Sequence, residues 1–244
     1  METYEEFRWA LAAGYEYFQG FFFARPSILR SRQFPAAKLN CLRLLSEMQR
    51  EELDLNSLER LIRADVALTY KLLRYVNSAL FGRQQEIQSI LRALIILGND
   101  SIRRWVGLAT LSKLGTGKPG ELIRLSIVRA QFCEQLMNMA RIPRANEAFL
   151  MGMFSLLDAL LDRPLGEVLE SAGVGRDIVQ VLCGAALPGD KLAVVYRLTR
   201  EYELGDWDEV ERLSRMCGLL PLEVGNAYVK AAIWADSVLR ETAG

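Results

Sequence analysis

The chain has 244 residues, 51% of them hydrophobic, and its 30 Lys and Arg residues balance 30 Asp and Glu. That is enough apolar material for a sizeable core in one large domain or two small ones, and the balanced charge argues against non-specific binding of nucleic acid or of an anionic membrane as the main activity, since both need a basic excess, while leaving room for a local basic patch. There is no histidine, which removes Ser-His-Asp and Cys-His triads, the usual zinc sites and imidazole as a base, while carboxylates remain able to hold Mg²⁺ or to do acid–base work.

In chain order, the stretch "GYEYFQGFFFARP" from Gly14 to Pro26 predicts one buried strand. A lone strand cannot be a domain, because its backbone groups need neighbours to pair with. Residues 27–35 carry Ser, Arg and a Phe-Pro pair and read as a linker. Helical periodicity then runs to the end. Leu39, Leu42, Leu45 and Met48 are expected on one helix face, and Asn56 with Glu59 resembles a capping box ahead of Leu58, Leu61 and Ile62. Leu68, Leu72, Leu73, Val76 and Leu80 form an apolar stripe stopping at Gly82, and "SILRALIILGND" predicts a short apolar helix ended by Gly98. Trp105 joins Ile102, Val106 and Ala109 on the inner face of the next helix.

"GTGKPG" at 115–120 is a loop and not a P-loop, since Lys118 is followed by Pro119 and no strand precedes it. One helix is expected through Leu122, Phe132 and Met139, and a second, apolar nearly all round and therefore central, from about Asn146 to Leu161. Two more helices join at Gly205-Asp206, and Pro221 opens a last one with Val224, Tyr228, Ala231, Ala232, Ala235 and Trp234 inward. The fold class expected is all-α, with a short strand-bearing segment in front. The cysteines at 41, 133, 183 and 217 lack C-x-x-C spacing and read as reduced thiols of a cytoplasmic protein. No apolar run reaches the length of a membrane span, and the N-terminus lacks a signal-peptide layout.

The stretch around Gly14, Gln19, Gly20, Phe23, Arg25 and Pro26 resembles the closing strand of EAL domains, the bacterial cyclic di-GMP phosphodiesterases, and "TYEEFRWALAAG" is similar to the helix before it. The resemblance implies a (β/α) barrel with metal held by acidic residues on earlier strands. A barrel of that kind needs about 250 residues, and residues 1–26 supply only its tail. The rest of the barrel is either absent from the natural protein or encoded upstream of Met1, and both alternatives stand at this point.

Residues 36–240 resemble a second family. Asp65, Leu68, Leu72, Leu73, Asn77, Ser78, Ala93, Leu97, Gly98, Arg104 and Trp105 stand where HDOD domains, relatives of the HD-type metal phosphohydrolases, carry their hallmark residues. HD enzymes place a His-Asp dyad in a Gly-Leu-Leu-His-Asp context on a central helix. Here "LMGMFSLLDALL" occupies that place: Gly152, Met153 and Phe154 keep the frame, Ser155 replaces the His and Leu156 the Asp. The resemblance thus implies a retained fold with a degenerate dyad, no catalytic residues, no metal and no cofactor.

Asp158, two positions further on, either belongs to a surviving metal site or caps and pairs near its helix end. A single carboxylate holds metal weakly, which favours the second role. Arg103, Arg104, Arg124 and Arg129 form either a basic surface for phosphate or an acidic partner, or an ordinary solvated face. Asn77 and Ser78 are expected to hydrogen-bond loop backbone. The candidate binding residues are Gln19, Arg103 and Arg104.

The expectation from sequence is a cytoplasmic bacterial signal-transduction module without enzymatic activity. It would act by binding a partner protein or a second copy of itself in a cyclic di-GMP-related pathway, with no nucleic acid and no membrane. The alternatives are a cyclic di-GMP phosphodiesterase or HD-type phosphohydrolase, active only with an intact upstream EAL domain, or a nucleotide-binding sensor without turnover.

Overall fold

The computed structural model describes residues 4–16, 36–50, 52–78 and 87–243. All regular structure among them is helical, as the periodicity predicted: α1 (Tyr4–Ala12), α2 (Ala36–Glu47), α3 (Leu55–Arg63), α4 (Val66–Val76), α5 (Ile90–Leu114), α6 (Gly120–Met139), α7 (Ala145–Phe154), α8 (Leu157–Leu161), α9 (Leu165–Ser171), α10 (Arg176–Leu182), α11 (Lys191–Leu204), α12 (Trp207–Met216) and α13 (Pro221–Ala243). The helix expected before the N-terminal strand is α1, followed by a turn through Gly14 (φ 87°). The strand itself beyond Glu16, the linker at 27–35 and the stop at Gly82 lie outside the described residues.

The helices gather into two compact units, residues 33–113 with 171–175, and residues 1–32 with 114–170 and 176–244. In the unit built on α2 to α5, Leu44, Met48, Leu58, Ile62, Leu72, Val76, Leu94 and Ile102 form a continuous apolar core. The face of α2 is Cys41, Leu42, Leu44, Leu45 and Met48, while Leu39 is exposed. A spacing of three falls short of the 3.6-residue turn, so over nine residues it drifts half-way round the helix.

The capping box expected at Asn56 is displaced. Asp54 is the cap of α3, its carboxylate accepting from the backbone N–H of Asn56 and of Ser57, both at 3.1 Å, while Glu59 pairs with Arg63. Asp competes well for that position because its side chain satisfies N–H groups left open in the first turn. Asp65 caps α4 in the same way, accepting from Ala67 N–H (3.1 Å) and Leu68 N–H (3.3 Å), and also pairs with Lys113. The side chain of Asn77 brackets Ile87, donating to its carbonyl and accepting from its N–H, each at 2.8 Å, and Ser78 donates to the Tyr75 carbonyl. Within α5, Gly98 (φ 73°, ψ 164°) interrupts the helix where its glycine suggested a stop.

In the other unit, α6 is buried along most of its length from Leu122 to Met137, with α7, α11 and α13 against it. The single helix expected over 146–161 is two. Ser155 closes α7, and Leu156 (φ −125°, ψ 17°) leaves helical geometry before α8. The Ser155 hydroxyl donates back to the Gly152 carbonyl at 2.7 Å, the kind of local side-chain bond that competes with a helix and turns it. An apolar segment gives no periodicity signal for such a break. No helix among the described residues is long and apolar enough to cross a membrane.

Candidate functional site

The position singled out by sequence, Ser155-Leu156, sits at the α7–α8 turn and faces α6. Gly152 makes the approach of α7 to α6 so close that a Cβ there would stand 2.4 Å from the Arg129 carbonyl oxygen. The same α6 residue sends its side chain to the site. Arg129 Nη1 donates to Ser155 Oγ at 3.1 Å, Nε to Glu203 Oε1 at 2.9 Å, and Nη2 to Glu203 Oε2 at 2.6 Å. Both charged side chains are under 5% exposed. Arg129 is thus part neither of a basic surface nor of a solvated face, which corrects both readings of it. Burial opposes its charge, but the Glu203 carboxylate and its hydrogen bonds outweigh burial and hold the guanidinium above its ordinary value.

Beside this ion pair a buried hydroxyl and a buried thiol are paired internally. Thr199 on α11 donates to the Val195 carbonyl, so the Cys133 thiol, 3.3 Å from Thr199 Oγ1, is the donor in that contact. Burial pushes the Cys133 thiol up to about 12. Phe132, Tyr202 and Tyr228 meet in an aromatic cluster with centroids 4.7 to 5.5 Å apart. Burial, with Glu203 nearby, raises the Tyr228 phenol. Leu156 is buried and contributes only packing. Asp158 is pushed above the usual carboxylate range by burial, against the pull of the Ala159 N–H and of Arg129.

An HD-type metal centre does not fit these residues. The hydroxyl of Ser155 is spent between Gly152 and Arg129, and a guanidinium stands where cation ligands would have to converge. No group of three or more Cys, Asp or Glu that could hold a metal ion occurs among the described residues. What the arrangement does is lock α6, α7 and α11 to one another through a single buried ion pair.

Arg103 and Arg104 belong to the α2–α5 unit, where Arg103 donates to the Met48 and Arg50 carbonyls at the end of α2 and Arg104 is half-buried. Arg103 therefore serves the C-terminus of a helix, where a cation is favoured. Arg124 pairs with Asp236 on α13 (Nε–Oδ1 2.7 Å) and with Glu121. Lys118 of the glycine-rich loop pairs with Asp162 at 2.6 Å. Gln19 lies outside the described residues. A groove of about 530 Å³ between the end of α6 and the start of α11, lined by Met137, Ile142, Pro143 and Leu192 with charged residues of both signs, contains neither Arg124 nor Lys118.

Glu203 escaped the sequence reading. Its neighbours Glu201 and Asp206 make the stretch look solvated, and 74 positions separate it from Arg129. One signal was present: Val195, Thr199 and Tyr202 carry the inner face of α11, and Glu203 falls four residues after Thr199 on that same face.

The all-helical fold of the described residues defines the class as an HD-like helical domain. The chain belongs to the HDOD domain family, whose match spans residues 34–161. The Vibrio cholerae serotype O1 protein named cyclic di-GMP phosphodiesterase CdgJ is 35% identical over 98% of this chain and 55% of its own length. YuxH of Bacillus subtilis, named an uncharacterized protein, is 28% identical over 98% of this chain and 58% of its own. The chain therefore spans a little over half the length of these relatives. A crystal structure of a chain described as a signal transduction protein from Marinobacter aquaeolei VT8 shares the fold, with a TM-score of 0.60 at 16% identity over 96% of this chain and 64% of that one.

One expectation falls here. A protein without enzymatic activity was inferred from the lost dyad, yet a relative that aligns along almost the whole chain carries the name of an enzyme. The missing imidazoles speak only to HD chemistry, and phosphodiester hydrolysis by other groups is untouched by their loss.

Proposed function

We propose that this chain is part of a bacterial cyclic di-GMP phosphodiesterase and supplies its HDOD portion. The observation that carries the proposal is the 35% identity with CdgJ over 98% of the chain. Hydrolysis would rest on an EAL-type catalytic portion, of which residues 14–26 resemble the closing strand. The greater length of both relatives leaves room for such a portion. The family match begins at residue 34 and does not reach that stretch, so the EAL assignment rests on its own residues.

In this reading the HDOD portion works in the cytoplasm by contact with a partner protein or a second copy, and Arg129–Glu203 holds its helices in one packing. The candidate binding residues in this reading are Arg103, which also serves the end of α2, and half-buried Arg104, with Gln19 contributed by the EAL-like stretch. The test is hydrolysis of cyclic di-GMP, with Mg²⁺ or Mn²⁺, by the protein expressed from its complete reading frame. Formation of the linear dinucleotide is expected. A protein that is folded and metal-loaded but leaves the cyclic dinucleotide intact contradicts the proposal.

A further inference from the structure

The last helix, α13, has two apolar faces. Val224, Ala227, Ala231 and Ala235 are buried against the rest of its unit. On the other side Leu222, Asn226, Val229 and Ile233 recur at spacings of four, three and four. Leu222 is 76% exposed, Val229 54% and Ile233 64%. Single exposed aliphatic residues are ordinary, but a four-three-four repeat on one face is the seam pattern of helices that pair side by side.

We propose that α13 pairs with α13 of a second copy of the chain, antiparallel, about a two-fold axis close to Asn226. The charges beside the stripe select this occupant and this direction. Glu223 and Lys230 are exposed, lie on the same flank of the stripe and are seven residues apart. A two-fold axis between residues 226 and 227 places Glu223 against the partner's Lys230 and Lys230 against the partner's Glu223. A parallel arrangement would place the two copies of that flank on opposite sides of the seam, where Glu223 and Lys230 meet the uncharged flank of Gly225 and Ala232 and find no partner.

The same axis brings Asn226 beside the partner's Asn226. An amide carries both donors and an acceptor, so it can pair with its own copy, and one Asn in an apolar seam fixes register. Ile233 then meets the partner's Leu222 and the partner's Leu220, the latter 67% exposed in the single chain. The Glu223 carboxylate also accepts from the Leu220 N–H at 2.8 Å, which ties it to the start of the helix. From Leu222 to Ile233 the stripe is about 17 Å long at 1.5 Å per residue. That is short of an obligate interface, so the dimer dissociates on dilution. The inference goes beyond the hydrolytic reading and stands independently of it.

Sedimentation velocity of the purified chain over a hundredfold concentration range is the test. A mass rising from monomer to dimer is expected, with Ile233→Glu remaining monomeric while its circular dichroism stays helical. Lys230→Glu and Glu223→Lys should each weaken self-association about tenfold, because each places like charges together. Mixing those two variants should restore the dimer, since every contact in the mixed pair sets Glu against Lys. A parent chain monomeric throughout overturns the proposal and leaves the face to another protein or to the remainder of a longer chain. A dimer indifferent to Ile233→Glu, or variants that fail to pair on mixing, overturns it equally.

Discussion

Arg129 and Glu203 meet as a forked ion pair, with Nε 2.9 Å from Oε1 and Nη2 2.6 Å from Oε2, and the remaining arm of the guanidinium reaches Ser155 Oγ. The consecutive helices α6 and α7 and the distant α11 are joined at this one group. Buried pairs are costly to break from one side, because the surviving charge is left in a medium that does not solvate it. Glu203→Ala is therefore expected to lose about 3–5 kcal/mol. The double variant Arg129→Met, Glu203→Leu should recover most of that loss. Urea unfolding of the two single variants and the double variant checks both expectations.

Gly152 lies under the same residue. A methyl group at Gly152 would press on the carbonyl oxygen of Arg129 at 2.4 Å and on the Ala130 nitrogen at 2.7 Å, both backbone atoms. Gly152→Ala should cost about 3 kcal/mol, as overpacking against rigid atoms does. Gly166→Ala is the control, since its methyl group would meet only Cys183 Sγ at 3.8 Å. It should change the urea midpoint little or raise it slightly.

Two carboxyls should respond to pH with opposite sign. At Asp65, burial works to raise the carboxyl, but Lys113 and the N–H groups of Leu68 and Ala67 outweigh it and hold the group below 3.8. Its contribution to stability is present above that value and is lost as pH falls through the folded-state value. At Asp158 burial dominates and raises the group. Its contribution is present below 3.8 and is lost as pH rises through the raised value. Asp65→Asn should thus be destabilising at neutral pH and converge with the parent in acid. Asp158→Asn should gain on the parent as pH rises. Urea midpoints measured from pH 3 to 7 distinguish the two.

The thiols should sort by burial. Burial pushes Cys41 up to about 11 and Cys133 up to about 12, and raises Cys217 as well, while Cys183 is exposed. The thiolate is the reactive form. A thiol reagent applied to the folded chain is expected to label Cys183 at once and the other three only on unfolding. Mass spectrometry of the labelled peptides reads this directly.

The local signals in the sequence carried a large part of the fold. Gly205-Asp206 divides α11 from α12 and Pro221 opens α13, because turn chemistry and caps are encoded in neighbouring residues. Asn77 binds loop backbone as its place at a helix end suggested. The break at Ser155 was not legible, because a segment apolar on every side has no periodicity to interrupt. Nor was the Arg129–Glu203 pair. Arg129 reads as a surface charge until its helix is found enclosed by others, and only the tertiary fold brings Glu203 to it. The Ser155-Leu156 position was singled out from the residues, while the ion pair beside it was not.

Turnover of cyclic di-GMP by the protein expressed from its complete reading frame, in parent and Ser155→Ala forms, tests the central claim most directly. Hydrolysis to the linear dinucleotide in the presence of divalent metal is expected from both, because in the proposed reading the chemistry would belong to an EAL-type portion, while Ser155 serves the packing of α6 and α7. Absence of turnover in the folded parent, or its loss in a Ser155→Ala protein that remains folded, would contradict it.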